Sequence, residues 1–206
     1  MGLRFAFTGA DIIGVDINQQ PKYPFKFIKA DAVTFPIYGY DFIWASPPCQ
    51  KYSRAGQQWR KLGVCYPDLI DITRDKLQTA GTPYVIENVP GSPLINPIVL
   101  NGAFFCLLLR RVRWFECSFN IAQPILPKDA PAPSRLGRPV REGIDAITPV
   151  GHFSNVKYAQ EQMGISWMGQ KDLAQAIPPV YAEYIGNEYN KSLEMDGQKD
   201  ARHSAS

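Results

Sequence analysis

The chain has 206 residues, of which 45% are hydrophobic and 20% are charged, and its formal net charge is +3 at pH 7. This length allows one main domain with a small appendage and excludes two large domains. No apolar run approaches the roughly 20 residues that span a bilayer, and the start of the chain lacks the apolar core of a signal peptide. We therefore expect a cytoplasmic globular protein.

Short apolar runs rich in β-formers are separated by turns in the first half of the chain. The predicted strands are residues 11–17, 25–29, 41–45, 83–87 and 113–117. A helix is predicted from Pro67 to Leu77, because proline lies near its start and Gly81 lies past its end. This alternation is typical of an α/β protein with a parallel sheet.

The amino-acid composition changes between Asn120 and Pro149, where six prolines are interleaved with arginines. This segment is predicted to be an irregular, extended insert. Helical periodicity returns at residues 158–163 and 171–176, and a helix is predicted for 180–189, after two consecutive prolines. Residues 191–206 are polar and lack aromatic side chains, so we expect a frayed tail.

Basic residues are concentrated in one part of the chain, although the net charge alone is too small to indicate a polyanionic partner. Between residues 107 and 141, seven basic residues stand against two acidic ones. Cysteine and histidine are scattered, with no Cys-x-x-Cys pair and only two histidines. We therefore expect free thiols and no metal site.

A cysteine follows two prolines at the end of the predicted strand 41–45. Pro47 and Pro48 fix two successive φ angles, so Cys49 would point outward at the carboxyl edge of the sheet, where ligands bind in such folds. A thiol held in this way is suited to nucleophilic attack. The alternative is a buried structural cysteine, the more common case for an arbitrary cysteine. The Pro-Pro-Cys-Gln context favours the nucleophile.

A carboxyl group ends the predicted strand 83–87. Burial would raise the pKa of Glu87 and keep it protonated more often. It could then supply a proton or hydrogen bond to ring nitrogen 3 of a pyrimidine to which a thiolate has added. The alternative for a lone glutamate at a strand end is a cap or a member of an ion pair.

Three motifs, in this order and spacing, resemble those of the DNA cytosine carbon-5 methyltransferase family, particularly its small phage-borne members. Residues 42–50, with Ser53 after them, resemble the nucleophile motif, and residues 85–89 resemble the Glu-Asn-Val motif. Residues 111–113 resemble the Arg-x-Arg motif, whose second arginine holds the carbonyl oxygen of the cytosine. The resemblance covers most of the chain.

The resemblance implies an α/β fold with a Rossmann-like sheet of the type found in S-adenosylmethionine-dependent methyltransferases. It also implies a cytosine-modifying enzyme of a bacterial or phage-infected cell, in which thiolate addition at carbon 6 activates carbon 5 for alkylation. The catalytic residues implied are Cys49, Glu87 and Arg113. Thymidylate synthase-type enzymes also use a Pro-Pro-Cys nucleophile, but a histidine follows it, and Gln50 argues against them.

S-adenosylmethionine is the methyl donor that the resemblance implies. Residues 14–17 resemble the segment whose acid holds the ribose hydroxyls, and residues 30–32 the one whose aspartate contacts the adenine. Residues 176–179 lie where the last family motif closes the cofactor pocket. The expected contacts are Asp16, Ile17, Asp31, Ala32 and Pro47. Turn-capping is the alternative for both aspartates.

Double-stranded DNA is the expected partner, and its target cytosine must leave the base stack to reach the thiol. The basic insert from 120 to 155 lies where the family has its target-recognition region. The polar loop after Cys49 is a second candidate, expected to be mobile. The DNA contacts predicted are Gln50, Ser53, Arg54, Asn88, Arg111, Arg135 and Arg138. For Arg111 and Arg113 the alternative is a solvated strand face.

The chain departs from the family at its first strand. Residues 3–7 fit that strand, but only Thr8, Gly9 and Ala10 separate it from the next one. A parallel crossover needs a dozen or more residues, so the glycine-rich loop and helix that cradle the methionine part of the cofactor do not fit. Poor alignment of the methyl group would lower the rate of transfer. The missing element could also come from a partner chain, or the enzyme could be rebuilt around other residues.

The predicted organisation is a catalytic domain at 1–119, a target-recognition insert at 120–155, helices at 156–190 that complete the catalytic domain, and a flexible tail at 191–206. Two functions follow from these patterns. The first is a cytosine carbon-5 methyltransferase of DNA. The second is a catalytically inactive DNA-binding protein that keeps the fold.

Overall fold

The computed structural model describes residues 10–53, 56–128, 130 and 140–203, with side chains described up to Met195. The strands in these ranges are β1 (Ile13–Asp16), β2 (Lys26–Lys29), β3 (Ile43–Ala45), β4 (Tyr84–Asn88), β5 (Ile98–Leu100) and β6 (Arg113–Cys117). The α-helices are α1 (Gln57–Lys61), α2 (Ile70–Ala80), α3 (Val156–Met163), α4 (Gln170–Leu173) and α5 (Pro179–His203). A 3-10 turn spans Gly102–Phe105. The fold is α/β, as predicted.

The strands form two sheets. β1 and β2 make a parallel pair, and the other four strands are ordered β3-β4-β6-β5. β3 is parallel to β4, whereas β6 is antiparallel to both of its neighbours. The predicted parallel pairing is thus present in part of the structure. β5 was not predicted, because three apolar residues give too short a pattern, and its antiparallel addition is common at the edge of such sheets.

The larger sheet is covered on both faces. Tyr84 and Ile86 face a core that includes Ile70 and Leu77 of α2. Successive residues of a strand point to opposite faces, so Val85 packs in the other core. That second core contains Val85, Ile98, Leu100, Phe115, Ile177, Tyr181 and Ile185. Because both faces are covered, all five residues of β4 are buried. The polar residues at its carboxyl end are therefore held in a fixed place.

The predicted helix at 67–77 is α2, which begins and ends three residues later and stops directly before Gly81. The Asp68 carboxylate accepts a hydrogen bond from the backbone N–H of Ile70 at 3.4 Å, and the helix starts there. Gly81 ends it in the left-handed conformation, with φ at 68°. An L-residue is strained in that conformation, so glycine suits the position.

The helices that follow the insert divide between two cores. Helices α3 and α4 form a third core together with Leu109 and the end of the insert, while Tyr181 and Ile185 of α5 belong to the second core. The buried members of the third core are Leu109, Ile147, Phe153, Tyr158, Ala159, Met163, Ile165 and Leu173. We call this unit the small lobe. Helices of eight and four residues bury too little alone and need each other and the insert for a core.

The insert is irregular, as predicted, in the part that the structure describes. Residues 120–128 and 140–155 contain no helix or strand apart from a bridge between Ile147 and Leu109. The tail differs from the prediction, since α5 continues to His203. No proline interrupts it after Pro179, and Glu188 pairs with Lys191 one turn later at 2.6 Å. No described helix is long and apolar enough to cross a membrane.

Candidate active site

The turn that carries Cys49 is fixed at both ends. The carbonyl oxygen of Cys49 accepts hydrogen bonds from the backbone N–H groups of Tyr52 at 3.0 Å and Ser53 at 2.8 Å. On its other side, the Asn88 side-chain amide donates to the carbonyl oxygen of Pro47 at 3.0 Å. The carboxyl ends of β3 and β4 are therefore tied together directly beside the cysteine.

Asn88 requires a correction. It was predicted to contact DNA, but it is buried, and its side-chain oxygen accepts a hydrogen bond from the backbone N–H of Val89 at 2.9 Å. Both ends of the amide are thus used inside the protein. Asn88 positions the cysteine turn, a role that a strand-end asparagine after four buried residues could have suggested.

Glu87 and Arg113 form a largely buried ion pair. Nε of Arg113 lies 3.0 Å from Oε1 of Glu87, which is possible because β4 and β6 are hydrogen-bonded neighbours. Burial raises the pKa of the Glu87 carboxyl, while Arg113 and a hydrogen bond with Ser46 oppose this rise. The side-chain N–H of Trp44 donates to the Ser46 hydroxyl oxygen at 3.3 Å. The ion-pair alternative for Glu87 is therefore observed, and it is compatible with a catalytic role.

Cys49 lies within electrostatic reach of this pair. Burial raises the pKa of its thiol, Arg113 and Arg111 lower it, and Glu87 raises it. The three residues that the motifs assign to catalysis are thus brought together, at the carboxyl ends of β3 and β4 and the start of β6. The thiol is half-buried and mainly protonated in the free protein, so it needs a proton acceptor or a nearby positive charge to react.

Arg111 also needs correction, because its side chain is only 1% exposed and cannot meet a DNA phosphate from there. Its guanidinium group donates to the carbonyl oxygens of Pro149 and Ala174 at 2.8 Å and of Ala176 at 3.0 Å. Tyr181 donates its hydroxyl to the backbone oxygen of Arg111 at 2.7 Å. Arg111 therefore holds the insert and the start of α5 against the strand that carries Arg113.

Both aspartates expected to bind the cofactor cap turns, which was the alternative reading for them. Asp16 Oδ1 accepts from the backbone N–H of Asn18 at 2.7 Å, and Asp31 Oδ1 accepts from that of Val33 at 2.9 Å. They lie at the carboxyl ends of the parallel pair β1 and β2, next to the exposed Ile17 and Ala32. One carboxylate oxygen of each is used in these turns.

Hydrogen bonds hold the described part of the loop after Cys49. Nη1 of Arg60 donates to the carbonyl oxygens of Gln50 at 2.5 Å and Ser53 at 3.0 Å. The Ser53 hydroxyl oxygen accepts from the backbone N–H of Gly56 at 3.1 Å, while Gln50 is exposed. The loop contains α1, which the glycines on either side of Gln57–Lys61 could have indicated. Arg54, Arg135 and Arg138 lie outside the described residues.

Lys76 of α2 is a residue that sequence reasoning missed. Its ammonium group donates to the carbonyl oxygens of Ala32 at 2.9 Å, of Val33 at 2.8 Å and of Phe35. It thereby fixes the loop that begins at Asp31. An open groove of about 520 Å³ lies between this loop and α2, and none of Cys49, Glu87 and Arg113 lines it.

Among the described residues, no group of three or more histidine, cysteine, aspartate or glutamate side chains is arranged to hold a metal ion. Comparison of the chain with protein-family models and with curated proteins found no match.

Proposed function

We propose that this chain is a DNA cytosine carbon-5 methyltransferase in which Cys49 is the nucleophile. The observation that carries the proposal is the meeting of Cys49, Glu87 and Arg113 at one edge of the large sheet, with Nε of Arg113 3.0 Å from Oε1 of Glu87. Glu87 is buried and Arg113 largely so, and both influence the thiol. A nucleophile, an acid and a cation at one edge suit addition to a polar ring.

The chemistry assigns one task to each residue. The Cys49 thiolate forms a bond to carbon 6 of an extruded cytosine, and the electron pair displaced from the ring double bond makes carbon 5 nucleophilic. Glu87 gives a proton or hydrogen bond to ring nitrogen 3, and Arg113 hydrogen-bonds the carbonyl oxygen at carbon 2. After carbon 5 takes up the methyl group, loss of its proton expels the thiolate and restores the double bond.

S-adenosylmethionine would supply the methyl group, and part of its site fits the residues present. Asp16 with Ile17 and Asp31 with Ala32 present a carboxylate and an exposed apolar side chain at each of two adjacent strand ends. Such a set suits the hydroxyls of a ribose and the face of a flat base. Pro47 would face the same nucleoside across the sheet edge, and no described residue is assigned to the methionine part.

The test is the formation of 5-methylcytosine in DNA of mixed sequence, measured by mass spectrometry of the digested nucleosides. We expect the methylated base with the unchanged protein and with Cys65→Ser, which alters an exposed thiol that the motifs do not assign to catalysis. Cys49→Ser should abolish it. Methylation that persists in the Cys49→Ser variant would exclude this mechanism.

A catalytically inactive DNA-binding protein is the second candidate, favoured by a specific observation. β1 begins at Ile13, so the residues between it and the predicted strand at 3–7 are too few for a glycine-rich loop and helix. Calorimetric titration with S-adenosylhomocysteine separates the two functions. Micromolar binding supports the enzyme, whereas DNA binding without any binding of this product supports the inactive protein.

A further inference from the structure

The segment that follows the cysteine turn exposes three large apolar side chains close together in sequence. Trp59 is 49% exposed, Leu62 is 74% exposed and Val64 is 42% exposed. None of the residues of α1 is buried. Exposed apolar groups of this kind, clustered next to a reactive residue, indicate a contact surface rather than scattered surface side chains.

This apolar group is fixed to the cysteine turn. Arg60, the neighbour of Trp59, donates to the carbonyl oxygens of Gln50 and Ser53. Gly56 packs against the Gln50 carbonyl so closely that an added Cβ would collide with it. The helix that carries Trp59 is therefore fixed relative to the turn that follows Cys49.

The charge around Trp59 identifies the class of molecule. From Cys49 to Tyr66 the sequence has four basic residues and no acidic one, although Lys51 is paired with Asp68 at 2.7 Å. Lys61 is exposed next to Trp59 and Arg60. An aromatic ring among cations suits single bases of a nucleic acid, because a base stacks on the ring while the cations pair with phosphates. A purely apolar protein surface would gain nothing from this excess of positive charge.

We propose that Trp59 stacks on a nucleobase that becomes unstacked when the target cytosine leaves the duplex, and that Lys61 pairs with a phosphate beside it. The proposal rests on the proposed function, since it requires DNA at Cys49. The stacked base would hold the strand open while the cytosine occupies the site. Large side chains that enter a base stack are a known way to keep a duplex distorted.

Stacking on a base quenches tryptophan emission, which gives a direct test with single-stranded oligodeoxycytidylate as the probe. We expect the probe to quench the emission of the unchanged protein and of Trp167→Phe, which alters an exposed tryptophan in the small lobe. In Trp59→Phe most of the quenching should disappear while the affinity changes less than about threefold, because phenylalanine still stacks. Trp59→Ala should weaken binding roughly tenfold to a hundredfold.

Unchanged quenching in Trp59→Phe, or unchanged affinity in Trp59→Ala, would overturn the proposal. Loss of self-association in Trp59→Ala, with no quenching by the probe in the unchanged protein, would also overturn it and assign the surface to a protein partner. The assay for 5-methylcytosine distinguishes this failure from failure of the proposed function. If a Trp59→Ala variant binds DNA normally and methylates it, the proposal for Trp59 fails while the proposal that Cys49 is the nucleophile stands.

Discussion

At the scale of single residues, the Cys49 thiol is subject to opposing influences. Burial and the Glu87 carboxylate raise its pKa, whereas Arg113 and Arg111 lower it. Substrate binding could change this balance by protonating Glu87 or by drawing Arg113 onto the cytosine. The reactive thiolate would then form mainly when the substrate is present.

Substitution of Glu87 and substitution of Arg113 should move the pKa of the Cys49 thiol in opposite directions. Glu87→Gln removes a negative charge, so the thiolate is stabilised and its pKa falls. Arg113→Gln removes a positive charge, so the pKa rises. The measurement is the rate of alkylation of Cys49 by iodoacetamide against pH, read from the mass of the peptide that contains it. A midpoint that moves upward in Glu87→Gln would contradict this account of the site.

Asn88 offers a test of positioning at the same scale. Asn88→Ala leaves the Pro47 carbonyl and the Val89 N–H without their partners, which should cost about 1–3 kcal/mol of unfolding free energy in urea titrations. Methylation should also slow, because the cysteine turn loses its tie to β4. The exposed Asn120→Ala is the matched control, expected within about 0.5 kcal/mol of the unchanged protein.

At the scale of elements, a buried ion pair joins α2 to the large sheet. Arg74 donates to both carboxylate oxygens of Glu116, at 2.8 and 2.9 Å, and also to the carbonyl oxygen of Pro93. Glu116 further accepts from the backbone N–H of Ile95 at 2.8 Å. These bonds hold three parts of the chain together: α2, the segment that precedes β5, and strand β6.

Breaking this network should be costly. Glu116→Ala leaves a buried guanidinium without its main partner, so we expect a loss of about 3–5 kcal/mol in unfolding free energy. Asp71 is the second partner of Arg74, and its side chain is 77% exposed. Asp71→Ala should therefore cost less than about 1 kcal/mol of unfolding free energy. The unfolding free energies are measured by chemical denaturation. Equal losses in Glu116→Ala and Asp71→Ala would show that burial does not determine the contribution of these ion pairs to stability.

Arg111 joins the small lobe to the large sheet at this scale. Arg111→Lys cannot reach three carbonyl oxygens, so we expect faster amide hydrogen exchange in residues 146–153, with little change in β4. Exchange that increases equally in both segments would indicate general destabilisation and not a link to the small lobe. A matched exposed substitution, Arg110→Lys, should leave both segments unchanged.

The sequence predicted five of the six described strands and α2 because each has a local pattern: β4 is a continuous apolar run ended by Glu87 and Asn88, and Gly81 marks the end of α2. It also placed Cys49 and Glu87 at neighbouring strand ends. It could not assign Asn88 and Arg111 to the interior, because their partners, such as Pro149, come from distant parts of the chain. For the same reason the sequence predicted helices at 158–163 and 171–176 but not the core that they share, since periodicity indicates an apolar face but not what covers it.

At the scale of the whole molecule, the site lies where separate parts of the chain meet. The large sheet supplies Cys49, Glu87 and Arg113, and the small lobe is bound to the same strand through Arg111. The parallel pair β1 and β2 carries the residues proposed for the cofactor. In the proposed function, addition to the cytosine ring requires the first of these parts, and methyl transfer also requires the pair β1 and β2.

The most direct test of the central claim, that Cys49 adds to carbon 6, uses duplex DNA of mixed sequence containing 5-azacytosine. A nitrogen at ring position 5 can take up a proton after thiolate addition, so a covalent adduct can persist without a methyl donor. We predict a denaturant-resistant adduct mapped by mass spectrometry to the Cys49 peptide, present in Cys65→Ser and absent in Cys49→Ser. Bound DNA with no adduct, or an adduct on another cysteine, would contradict the account.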